Sequence, residues 1–166
     1  MITIIAGTNR NGSNTKKIAQ VYINILQQKN IAAQLLSLDE VNVYEKSAAF
    51  TQMENDFLIP IQKFIFVIPE YNGSYSGILK LMLDNSNVKE CWANKKALLV
   101  GVATGRAGNL RGLEHFTGAL MHIKTTVHPN RLPISSVQNI LNPSGQIIDE
   151  ATLKTIQNQI EEFLIF

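Results

Sequence analysis

Apolar positions along this chain alternate between two rhythms. A compact run, Ile2-Thr3-Ile4-Ile5-Ala6, gives way to a turn rich in Gly and Asn. Residues 15–28 follow, where Ile18, Val21, Tyr22, Ile25 and Leu26 recur at helical spacing. The first run is apolar and β-branched rather than alternating, as a strand covered on both faces requires. The same succession repeats. Residues 34–38 predict a second, shorter strand, 63–68 closed by Pro69 a third, 96–103 a fourth and 125–128 a weaker fifth. Helices are predicted over 77–84, 110–121 and 150–164, the last with Leu153, Ile156, Ile160, Phe163 and Leu164 on one stripe. Only residues 39–60 lack a clear period, with one helix expected within 52–59. Strand and helix alternate about five times, the signature of an α/β fold with a doubly wound parallel sheet. No linker or repeat interrupts the pattern, so a single domain over residues 1–166 is expected.

In sheets of this kind ligands bind beyond the carboxyl ends of the strands, where the strand order switches. The loops after strands one, three and four are therefore the place to look for chemistry. The first, Gly7 to Thr15, offers hydroxyls at Thr8, Ser13 and Thr15, the guanidinium of Arg10, and the free N–H groups of a helix start. Those groups together suit a phosphate monoester. It is not a Walker A loop, because Ser13 stands where the lysine would be, and it lacks the G-x-G pair of the dinucleotide fingerprint. The plainer reading is a helix capped by Ser13 or Asn14 with Arg10 solvated.

The loop after the third strand reads Pro69-Glu70-Tyr71-Asn72-Gly73-Ser74-Tyr75-Ser76-Gly77. Its glycines let the main chain approach a planar ligand edge-on, and its tyrosines and Asn72 add stacking and hydrogen-bonding surface. Asn-Gly-Ser is also ordinary turn chemistry. The loop after the fourth strand, Thr104-Gly105-Arg106-Ala107-Gly108-Asn109, presents two glycines around one arginine. Either loop alone reads as a connection; three such loops at one sheet edge read as a ligand site.

Charge narrows the ligand. The 166 residues carry 15 Lys+Arg against 13 Asp+Glu, a net +2, which argues against nucleic acid, a membrane surface and a strongly acidic electron-carrier face alike. The lone cysteine, Cys91, cannot form an internal disulfide and reads as a small packed hydrophobe. The Asn-Gly-Ser sequons at Asn11 and Asn72 both fall in the proposed ligand loops, where a glycan would block the site. A cytoplasmic protein is expected. His115, His122 and His128 lack metal-ligand spacing, so no metal is expected.

Taken together, Gly7-Thr8-Asn9-Arg10-x-x-Ser13-x-Thr15, the Pro69-Glu70-Tyr71-Asn72-Gly73-Ser74 motif and Gly77-Ile78-Leu79-Lys80 resemble the NAD(P)H-dependent FMN reductase family, which includes flavin, quinone, azo-dye and chromate reductases. The resemblance runs from the first strand through Asn109. It implies a flavodoxin-like three-layer α/β/α sandwich with a five-stranded parallel sheet in the order 2-1-3-4-5. It also implies that Thr8, Arg10, Ser13, Asn14 and Thr15 hold the FMN phosphate. Pro69, Glu70, Tyr71, Asn72 and Gly73 would border the isoalloxazine, and Thr104, Gly105, Arg106, Ala107 and Gly108 would close its other edge. The chain departs from the family pattern with Thr8 where Ser is common and Ser76 where Pro is common.

The activity so implied is transfer of hydride from NADPH or NADH to FMN and on to a flavin, quinone or similar small acceptor. The cofactor carries such chemistry, so the absence of a recognisable general base is no obstacle. A homodimer or homotetramer is implied as well. Two rivals stay open on sequence alone: a flavodoxin-type electron shuttle not reduced by nicotinamide, and a non-redox module binding another phosphate ligand.

Overall fold

The computed structural model describes residues 1–166. Five short parallel strands dictate the architecture: β1 (Ile2–Ala6), β2 (Ala33–Ser37), β3 (Lys63–Pro69), β4 (Lys96–Val102) and β5 (Thr126–Val127), hydrogen-bonded in the order β2-β1-β3-β4-β5. All five residues of β1 are buried, as its unbroken apolar run requires. Side chains then divide by parity. Ile5, Phe64, Phe66, Ile68 and Leu99 face one way, under α2 (Ala48–Met53), α3 (Gly77–Asn85) and α5 (Leu110–His122). Ile4, Ile65, Val67, Leu98 and Val100 face the other, under α1 (Asn14–Gln28) and α6 (Glu150–Ile165). This is the expected flavodoxin-like three-layer sandwich with the expected strand order.

The fifth position of the sheet is shared. β5 pairs with Lys96 and Ala97 at the start of β4, whereas β6 (Leu132–Ile134) pairs with Val100, Gly101 and Val102 at its end. Pro129, which has no N–H to donate, falls in the interruption, and Pro133 is tolerated because β6 is an edge strand. The sequence pattern predicts one strand over residues 125–128; the structure has two shorter pieces, the second of which carries no apolar period to announce it.

The unreadable stretch also has a physical reason. α2 begins earlier than expected, with Ser47 as its cap accepting from Phe50 N, and runs into a π-helical turn over Glu54–Leu58. The buried residues Phe50, Met53 and Leu58 are therefore spaced three and then five apart, which breaks the 3.6-residue period. Glu54 is buried in that turn, and its carboxylate accepts from Asn87 N at 2.6 Å, just before α4 (Val88–Cys91).

Candidate functional site

The carboxyl ends of β1, β3 and β4 bring the three loops together as expected. Gly7 continues β1 against β3, its N–H donating to Val67 O at 2.9 Å. Thr8 turns inward and is fully buried, with Oγ1 2.5 Å from the Tyr71 hydroxyl and accepting from Arg10 N at 3.2 Å. The Arg10 guanidinium lies over the Tyr71 ring, 4.2 Å from its centre, close enough for a cation–π contact. First and second loops are thus joined through one aromatic side chain.

Ser13 caps α1, accepting from Lys16 N at 3.1 Å. The N–H groups of Asn14 and Thr15 then have no acceptor in the chain and remain available to an anion at the positive end of the helix. Capping and anion binding are therefore compatible here. Lys16 is not free to help. It pairs with Asp39 at 3.2 Å and Glu40 at 2.5 Å, and the hydrogen bond to Glu40 holds its ammonium above the ordinary lysine value. Arg10 has no carboxylate partner, so it is the cation left for a phosphate.

The second loop opens with a tight hairpin. Tyr71 N donates to Ser74 O at 2.9 Å and Ser74 N to Tyr71 O at 3.1 Å, with Asn72 and Gly73 at φ values of 52° and 76°. Two consecutive left-handed residues define the type I′ turn that Asn-Gly favours. The turn leans on α5, where His115 Nδ1 is 2.9 Å from Ser74 Oγ. Ser76 caps α3 by accepting from Leu79 N and also donates to Gly7 O at 2.5 Å, tying the base of the second loop to the first.

These loops enclose a cavity of about 250 Å³. Arg10, Ser13, Asn14, Thr15, Pro69, Glu70, Tyr71 and Thr104 line it, all residues singled out from sequence. Asn11, Val102, Ala103 and Val137 line it too, without having been anticipated. Val137 belongs to a 3₁₀ turn after β6, where the sequence offers no periodic signal. Thr8 lies behind Tyr71 rather than in the lining, and Asn72 and Gly73 lie out on the hairpin tip. Gly105, Arg106, Ala107 and Gly108 fall outside it as well, the first three exposed to solvent. The volume is below the roughly 300–1,000 Å³ of pockets that engulf a drug-sized ligand. A ligand with a phosphate at one end would be gripped there and left open at the other. A larger groove, about 520 Å³, runs between α1 and α6 and shares only Ser13 with this cavity.

The chemistry of the donors fits FMN: two free helix N–H groups and one unpaired guanidinium for the phosphate, beside main chain and an aromatic ring for a flat edge. Cys91 is buried away from these loops, and its thiol is pushed up to about 12 by burial and by the neighbouring Glu54 carboxylate. His128 is also buried, edge-on to the Phe163 and Phe166 rings.

Comparison with known proteins agrees. A family model described as NADPH-dependent FMN reductase matches residues 1–139. An NAD(P)H-dependent FMN reductase of Pseudomonas aeruginosa is 27% identical over 168 residues, covering 95% of this chain and 89% of that protein. A 2-hydroxy-1,4-benzoquinone reductase of a Burkholderia species is 20% identical, covering 98% and 93%. Among solved structures, the flavoenzyme NAD(P)H:(acceptor) oxidoreductase FerB of Paracoccus denitrificans superimposes with a TM-score of 0.82 at 20% identity, over 99% of this chain and 94% of that one. An archaeal flavodoxin gives 0.64 at 15% identity over 98% and 96%.

Proposed function

The chain belongs to the NADPH-dependent FMN reductase family, and on that premise we propose that the cavity between its three loops holds FMN by the phosphate end. It is an FMN-dependent NAD(P)H oxidoreductase acting on small-molecule acceptors. FMN held there would supply the two-electron chemistry that links nicotinamide to acceptor.

The observation that carries the assignment of residues is the convergence of Arg10, the free N–H groups of Asn14 and Thr15, Tyr71 and Thr104 on one cavity. Arg10 neutralises the phosphate, and the Ser13, Asn14 and Thr15 segment donates to its oxygens. Thr8 acts one step back, fixing the Tyr71 ring and the Arg10 backbone. Pro69, Glu70 and Tyr71 provide the edge on which the ring system rests, with Asn72 and Gly73 shaping its rim. Residues 104–108, exposed except for Gly108, form the opposite rim, where Arg106 adds positive charge beside the reacting ring. An open rim suits successive visits by nicotinamide and acceptor.

We extend this reading to a homodimer or homotetramer, supported by Leu110 and Met121, large apolar side chains exposed at 52% and 63% at the two ends of α5, the first beside that rim. It extends also to the cytoplasm, supported by the lone buried thiol and by the exposed sequon residues Asn11 and Asn72 at the site. No helix is long and apolar enough to cross a membrane.

An anaerobic visible spectrum of FMN-loaded protein, taken before and after NADPH and then NADH, tests the reading. Bleaching of the flavin band is the expected result. A flavin that binds but stays oxidised with both nucleotides would mark an electron shuttle instead. Failure to bind flavin at all would point to a different phosphate ligand.

A further inference from the structure

Asn109, which ends the third loop, is the least comfortable residue in the molecule. It is fully buried, holds a left-handed backbone at φ 69°, and sits at the N-cap of α5 without capping it. Its amide instead donates from Nδ2 to two successive carbonyls at the end of β3, Ile68 O and Pro69 O, both at 3.0 Å. Both amide hydrogens are thereby used. Oδ1 is left as the only buried side-chain nitrogen or oxygen in the chain with no hydrogen-bond partner.

Neighbouring positions are shaped around this arrangement. A Cβ at Gly112 would stand 2.1 Å from Asn109 Oδ1, and one at Gly101 would stand 2.2 Å from Gly108 O. Gly108, at φ 57°, has the Pro133 backbone 2.7 Å from where its Cβ would be. A helix cap made by Asn109 would have satisfied Oδ1 and relieved the burial of an unpaired acceptor. The chain forgoes the cap and spends the amide on the turn from β3 into Glu70. Strain and unpaired polar groups of this kind persist where the surrounding structure holds them for a purpose.

We propose that Asn109 is a positioning residue that clamps the second and third loops into one rigid surface and so presets the flavin-bordering edge at Pro69 and Glu70. The backbone supports the same junction, since Glu70 N donates to Val102 O at 3.0 Å, one strand away. Without the amide, the end of β3 and residues 104–108 are joined through β4 and, from the hairpin tip, through the Ser74–His115 contact to α5. The functional consequence rests on the FMN assignment above; the clamp itself does not.

The test uses the full-length protein and its Asn109→Gly and Asn109→Asp variants. Glycine adopts the left-handed backbone freely and removes the orphan oxygen, which offsets part of the loss of the two buried hydrogen bonds, so the fold is expected to survive with a modestly lowered melting temperature. Asparagine-to-aspartate keeps the shape but turns an acceptor on two carbonyls. Three readings are taken: melting temperature, amide hydrogen exchange in FMN-free protein, and FMN affinity by quenching of flavin fluorescence. In Asn109→Gly, exchange is expected to rise at least tenfold at the hydrogen-bonded amides of both segments, Glu70, Tyr71 and Ser74 in the one and Ala103 in the other, with strands β1 and β3 unchanged and FMN binding about tenfold weaker. In Asn109→Asp the same two segments are expected to loosen if it folds; the glycine variant decides the matter if it does not. A lowered melting temperature with unchanged FMN affinity would make Asn109 merely structural and overturn the proposal. So would faster exchange in only one of the two segments. If the unmodified protein fails to quench FMN, the FMN assignment falls, while the exchange data still decide the clamp.

Discussion

Tyr71 and Thr8, 63 residues apart in the chain, meet side chain to side chain at 2.5 Å. The contact joins the loop proposed to hold phosphate to the loop proposed to border the ring. Its worth is measurable as a coupling. Tyr71→Phe and Thr8→Val each delete one hydroxyl with little change of shape, and each should cost about 1 kcal/mol of stability. The double variant should lose less than the sum, because one hydrogen bond cannot be lost twice. Strict additivity in urea denaturation would show the contact to be energetically idle. FMN affinity should fall several-fold in either single variant, as expected when a preset site becomes looser.

Arg10 rests on Tyr71 and faces no carboxylate, so its charge is uncompensated until a phosphate arrives. Arg10→Ala should weaken FMN binding by about 2 kcal/mol, the range for a hydrogen bond to a charged group, which is about 30-fold. Riboflavin, which lacks the phosphate, should bind the unmodified protein and the variant equally. Equal losses for both flavins would place Arg10 at the ring and not at the phosphate.

Ser76 performs two tasks from one hydroxyl, capping α3 and donating to Gly7 O. Ser76→Ala removes both, and at a buried position the carbonyl of Gly7 is left without that donor. About 2 kcal/mol of destabilisation is expected. For a chain of this size that lowers the melting temperature by roughly 4–8 °C. Calorimetry checks it. A shift under a degree would mean that water replaces the hydroxyl.

Where the chain was legible, the reasons are visible in single residues. Ile2–Ala6 could be assigned because a doubly covered strand must be apolar throughout, and Asn72-Gly73 because few other pairs tolerate a type I′ turn. The lining residues Arg10, Ser13 and Thr15 followed from the chemistry and position of their loop, and Asn14, Pro69, Glu70 and Tyr71 from the family resemblance that the loop motifs carry. What stayed hidden depends on contacts between distant segments. Thr8 reads as a loop hydroxyl in the sequence, which does not show that it is buried against Tyr71, and Asn109 reads as a plain loop residue until its amide is found on β3. Val137 reaches the cavity only because β6 extends the sheet beside the end of β4, and that strand is three residues long with a proline inside. The π-helical turn at Glu54–Leu58 defeats any periodic reading by adding one residue per turn.

Cys91 offers a check on where the reaction does not occur. Burial and the Glu54 carboxylate raise its thiol to about 12, so at pH 8 it is almost wholly protonated and shielded. The native protein should resist a disulfide reagent such as dithionitrobenzoate for hours and react promptly once unfolded in guanidinium. Activity should survive the treatment. Rapid modification of the native protein with loss of activity would bring Cys91 into the functional machinery.

The ion pair at the start of α1 gives the fold a pH dependence whose sign can be worked out. Burial raises the Asp39 carboxyl, but hydrogen bonds from Ser37 and Lys16 outweigh it, leaving the group below the ordinary carboxylate value. A carboxylate lowered in the folded state binds fewer protons there than in the unfolded chain, so its contribution is full at neutral pH. That contribution is lost as pH falls through the unfolded value of 3.8 and on to the lower folded one. At the other end, the raised Lys16 ammonium contributes fully below 10.5 and loses its contribution above it. Urea denaturation at pH 7, 4 and 3 should therefore show the unmodified protein losing stability faster than Asp39→Asn over the acid interval. The two curves should converge once the pH is below the lowered folded value, where the carboxyl is protonated in both states. Parallel curves across the whole interval would mean that the Lys16–Asp39 contact contributes no linked stability.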